Sequence, residues 1–113
     1  MIPLADLDAD EDAVLLGWVR EIVAADGIAS AEEQVRVLEL RRALGDARVD
    51  RAIESAKVRF PDRRSLRAAA ARVTRPAART AILGFLRRLA ASDSVTPREE
   101  QPLRWLAATW GLE

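Results

Sequence analysis

The sequence predicts an all-α protein: a single compact helical domain of about five to seven helices over residues 1–113, built as a duplicated helical hairpin with pseudo-two-fold symmetry. Three observations predict it. Apolar residues recur at the three- and four-residue steps of a helix face along most of the chain. No alternating β-branched run occurs, and the one Asp-Gly pair, Asp26-Gly27, lies between helical patterns. Finally, a shift of 66 positions lays residues 25–33 on residues 91–99, and the match continues on both sides.

The repeat places one copy at about 13–45 and the other at about 79–111, with a basic helical insert at about 47–75. Val23, Ala24 and Ala25 fall on Leu89, Ala90 and Ala91. Val37, Leu40 and Leu44 fall on Leu103, Leu106 and Trp110, and Gly45 falls on Gly111. Each copy reads as apolar helix, short acidic turn, capped second helix and terminal glycine. Ser30 and Thr96 are N-cap candidates with Glu33 and Glu99 three residues on, which makes two capping boxes. Pro97 stands at N1, where its fixed φ suits a helix start.

In chain order, Asp8, Asp10, Glu11 and Asp12 crowd the first turn of a helix, where negative charge complements the dipole. Leu15, Trp18, Val19 and Ile22 define its buried face, and Gly27 is placed to end it. A second helix runs from Ala31 to about Ala43, with Val37, Leu40 and Leu44 inward. Val49, Ile53, Ala56 and Phe60 have helical spacing, and Pro61 stops that helix. Asp62 is placed to cap the next one, whose inward positions are Leu66, Ala70 and Val73. Pro76 opens a fifth helix with Ile82, Phe85, Leu86 and Leu89 as its stripe. The sixth starts after Thr96, and Pro102 either kinks it or marks its true beginning.

Composition excludes several function classes. The chain has no Cys and no His, so disulfides, thiol chemistry and the commonest general base and metal ligand are all absent. The N-terminus shows no basic and apolar leader, and no apolar run approaches membrane-spanning length. A cytoplasmic location is the expectation. Without His or Cys, nucleophile–base arrangements are mostly closed, and no carboxylate pair is marked by a pocket signal. The sequence is expected to be non-enzymatic.

Net charge is zero but unevenly spread. Residues 1–50 carry 12 acids and 5 bases, whereas residues 51–79 carry 9 bases and 2 acids. Either the two parts pair with each other or solvate separate faces, or the basic segment serves an anionic partner, with Arg63, Arg64 and Arg67 as its candidate contacts. Phe60 is the one aromatic residue there and no DNA-reading motif frames it, so a nucleic-acid partner is not predicted. A protein partner is expected instead, and Trp105 is its candidate anchor. Trp105 replaces Glu39 of the first copy, so it is expected to point away from the core stripe, either to an interface or beneath a covering segment.

The helix, the Ala25-Asp26-Gly27 turn, Ser30 and Glu33, and the apolar helix ending Leu44-Gly45 resemble the TerB-like family, the tellurite-resistance-associated helical domains. The line from Arg79 through Ile82, Leu86 and Leu89 to Thr96-Pro97-Arg98-Glu99, Leu103, Leu106 and Gly111-Leu112 resembles that family's C-terminal half. The resemblance covers roughly residues 13–112, and the middle only in helical character. It implies an all-helical cytoplasmic domain without established enzymatic activity, linked to tellurite and general stress resistance. It also implies a divalent-cation site, with Ca²⁺ or Mg²⁺ as the one cofactor it raises. Carried over, the ligands are Asp26 and Glu33 in the first copy. In the second copy Ser92 replaces the Asp and Asp93 the Gly, and Glu99 matches. The candidate metal set is therefore Asp26, Glu33, Asp93 and Glu99. On chemistry alone a hard cation wants six to eight oxygens, and Asp26, Ser30 and Glu33 give at most three side-chain ligands. The competing reading is structural: both glutamates serve as capping partners.

Overall fold

Apolar side chains on every side of one helix require neighbours on every side, and that requirement organises the molecule. A computed structural model describes residues 3–25, 31–91 and 97–112, with the side chains of residues 24, 25, 32, 33, 91 and 97–100 outside the description. After a 3₁₀ turn at Leu4–Asp6, the described residues form α1 (Ala9–Ala25), α2 (Ala31–Leu44), α3 (Asp46–Arg59), α4 (Arg63–Ala71), α5 (Pro76–Ala91) and α6 (Pro97–Trp110). They contain no strand. The fold is all-α. The bounds of α5 and α6 are those of α1 and α2 displaced by 66 positions, to within one residue.

α1 is the central helix. Every residue from Glu11 to Val19 is buried, because α3, α4, α5 and α6 all pack on it. This differs from the single face that Leu15, Trp18, Val19 and Ile22 predict: Ala13, Val14 and Leu16 are small or apolar enough to bury the remaining sides. Gly17 permits the closest approach. A Cβ there would lie 2.7 Å from Leu66 Cδ1 and 3.3 Å from Phe60 Cδ2, so α1 meets the α3–α4 corner across a bare backbone.

The inserted helices take the places their spacing predicts. Val49, Ala52 and Ala56 of α3 and Leu66, Ala69 and Ala70 of α4 are buried against the common core. Asp62 caps α4: its carboxylate accepts from the Ser65 N–H at 2.8 Å, and the Ser65 hydroxyl faces the Asp62 N–H at 3.4 Å. Trp110 Nε1 donates to the Ala70 carbonyl at 2.9 Å, tying the end of α6 to α4. α6 runs continuously through Pro102, so the helix begins at Pro97 and loses one internal hydrogen bond rather than starting late.

The terminal glycines end their helices for a steric reason. Gly45 (φ 91°) and Gly111 (φ 68°) occupy left-handed backbone that a Cβ disfavours. At Gly111 the Leu112 N–H reaches back to the Ala107 carbonyl at 2.8 Å, as in a Schellman ending. Outside the core, Val35 and Leu38 on α2 and Val58 on α3 are exposed.

Candidate anion-binding cleft

The acids at the start of α1 do more than complement its dipole. Asp8 and Glu11 form a capping box, the Glu11 N–H donating to Asp8 Oδ1 at 2.8 Å and the Asp8 N–H to Glu11 Oε1 at 2.9 Å. The Asp-x-x-Glu spacing was present in the sequence but hidden inside an acidic run. Onto this turn the arginines of the basic insert converge. Arg75 donates to both Glu11 oxygens, from Nε at 2.9 Å and from Nη2, and also from Nη2 to the Asp6 carbonyl. The hydrogen bonds from Arg75 outweigh burial and hold the Glu11 carboxyl below its ordinary range. That shift runs opposite to what a general acid near neutral pH needs.

Arg48 makes the second clamp. It donates to Asp12 from Nε at 2.7 Å and Nη2 at 3.1 Å, and to the carbonyls of Ala5 and Leu7 at 2.8 and 2.6 Å. Its pKa is raised, first by the Asp12 hydrogen bonds. Arg59 reaches Asp10 at 3.0 Å and lies 5.4 Å over its own neighbour's ring, Phe60. Arg63 reaches Glu21 at 2.9 Å. The acidic N-terminal half and the basic insert therefore face each other, as one of the two charge readings expects.

This pairing takes in one of the three cations proposed for an outside partner. Arg63 is engaged by Glu21, and Arg64 is exposed on the first turn of α4. Arg67 lies 5.1 Å over the ring of Trp105, which is half-buried and stacked on Trp18 with centroids 5.8 Å apart at 27°. Trp105 thus packs against the core at Trp18, beneath Arg67, which is the covered alternative rather than an open interface. Of the predicted metal ligands, Asp26 and Asp93 lie outside the described residues, as do the side chains of Glu33 and Glu99. Among the described residues no three acidic groups gather as a cation site.

What remains is a row on α3. Arg48, Arg51, Ser55 and Arg59 follow steps of three and four and so share a face. Between that face and the residues entering α1 is a cleft of about 360 Å³. Leu7, Ala9 and Ala52 supply its apolar wall, and Arg51, Ser55 and Arg59 its polar one. Asp12 also lines it but is matched by Arg48, so the wall keeps a positive excess from Arg51, which pairs with no described residue, and Arg59. A second cleft of about 220 Å³ shares Arg59 and adds Arg72 and Arg75, yet Asp8, Asp10 and Glu11 balance them. The first cleft alone has charge to spare. Comparison with protein-family models, curated proteins and solved structures finds no match.

Sequence reasoning counted Arg51 and Arg59 within the basic segment but did not separate them from the paired arginines. The usable signal was the row of α3 residues with Ser55 inside it.

Proposed function

We propose that this chain is a non-enzymatic, TerB-like binding domain that contributes to stress or tellurite resistance by capturing an anionic partner at the α3 cleft. The observation that carries it is a cleft wall on which Arg51 pairs with no described residue and Arg59 is held by one exposed carboxylate, Asp10, with the Ser55 hydroxyl between them. Arginine forks suit an oxyanion, since parallel N–H groups donate to two oxygens at once. The buried carboxylates support binding rather than turnover, because Glu11 and Asp12 are each taken up in hydrogen bonds from an arginine. The resemblance adds a divalent-cation site at Asp26 and Glu33 to the proposal. The test of the anion site is a titration with inorganic phosphate followed by amide NMR shifts. Saturable shifts centred on residues 48–59, weakening as chloride rises, are the expected result. Shifts spread evenly over the surface would overturn the assignment.

A further inference from the structure

We infer that the α3 cleft takes a phosphomonoester carried on an apolar body, and that Asp10 competes with it for Arg59. This rests on reading the cleft as an anion site and adds the ligand's class and an internal competitor.

The class follows from the walls. A carboxylate brings one charge and two oxygens, enough for one arginine fork. A phosphomonoester brings close to two charges and three acceptor oxygens at neutral pH. Arg51, Arg59 and the Ser55 hydroxyl are three separate donors on one helix face, so a phosphoryl group satisfies all of them together. Ala9 is exposed at the cleft beside the buried Leu7 and Ala52, and an attached apolar group packs there where a bare phosphate engages only the donors. At about 360 Å³ the cleft lies at the lower end of small-molecule sites, which run from about 300 Å³ upward.

The competitor follows from exposure. Arg59 and Asp10 are 3.0 Å apart, with side chains 41% and 80% exposed. Solvent screens such a pair, so it exchanges readily. Asp10 stands on the side of the second cleft, and Arg59 lines both. While Asp10 neutralises Arg59, an anion in the first cleft meets little more than Arg51. Removing that carboxylate frees the second fork without altering the cleft.

The experiment compares phenyl phosphate, inorganic phosphate and benzoate by amide NMR titration at pH 7.5, on wild type, Asp10→Asn, Arg51→Ala and an α2 control, Arg42→Ala. Phenyl phosphate should bind more tightly than either other probe. Asp10→Asn should tighten it by about three- to fivefold, the range open to an exposed ion pair. Arg51→Ala should weaken it at least tenfold, and Arg42→Ala should leave it unchanged. Inorganic phosphate or benzoate binding as tightly as phenyl phosphate would overturn the ligand class. Unchanged or weaker binding by Asp10→Asn would overturn the competition while leaving the anion site standing. No saturable binding of any probe to wild type or Asp10→Asn would sink the anion site itself. Circular dichroism of each variant, all altered at exposed positions, separates lost binding from lost folding.

Discussion

Asp12→Ala tests whether the ion pairs at the start of α1 hold the fold together. The Asp12 carboxylate is 8% exposed and accepts two hydrogen bonds from Arg48, whose side chain is 26% exposed. Removing one partner of a fully buried pair costs about 3–5 kcal/mol, because the other charge is left buried and unmatched. Arg48 keeps some water and its two carbonyl acceptors, Ala5 and Leu7, so the expected loss is smaller, about 2 kcal/mol. For a domain of this size that lowers the melting temperature by roughly 8 °C. Urea unfolding followed by circular dichroism measures it directly. The exposed Arg36–Glu39 pair on α2 is the internal comparison: Glu39→Ala should cost no more than about 0.5 kcal/mol. A double-mutant cycle with Arg48→Ala should show the double variant losing clearly less than the two singles together, since each single strands what the other removes. A cost for Asp12→Ala no larger than that of Glu39→Ala would refute the reasoning and reduce the clamp to a surface contact.

Two other predictions follow from charge. The folded pKa of Glu11 lies below its ordinary 4.5, so its contribution to stability is complete above about pH 4.5 and is lost as pH falls through the folded value. The stability gap between wild type and Glu11→Gln should therefore narrow on acidification, in urea titrations at pH 7 and pH 3; a gap independent of pH would mean that Arg75 does not stabilise the ionised form. At the first acidic turn, calorimetric titration with Ca²⁺, Mg²⁺ and Zn²⁺ should give weak saturable binding to wild type that Asp26→Asn loses at unchanged metal-free melting temperature; no heat at millimolar metal would dismiss a cation site there.

Much of the fold was legible because its cues are local. Asp62 before an apolar helical run, Pro76 at a helix start, and Gly45 and Gly111 after the last periodic residue each constrain only a few neighbouring backbone angles. The bounds of α5 and α6 agree with the 66-position shift of α1 and α2. What escaped was set by packing partners far along the chain. Periodicity marks one apolar stripe and assigns the rest of a helix to solvent, so it could not show that Ala13, Val14 and Leu16 are buried too. Trp105 shows the same limit. The repeat set it apart from Leu103 and Leu106, but the Trp18 ring and the Arg67 guanidinium that cover it come from α1 and α4.

The cleft was illegible for a related reason. A segment's total charge says how many arginines are present, not which are already matched. In the insert, Arg59, Arg63 and Arg75 are drawn to Asp10, Glu21 and Glu11, acids more than forty positions earlier in the sequence. Arg67 is taken by a ring and Arg79 by the Val73 carbonyl. A surface that attracts an anion is then a remainder, fixed by which arginines share a helix face with no acid opposite. On α3 that remainder is Arg51 together with the loosely held Arg59, on either side of Ser55. At this cleft the pairing leaves Arg51 with no described partner, and a single exposed carboxylate, Asp10, engages Arg59 beside it.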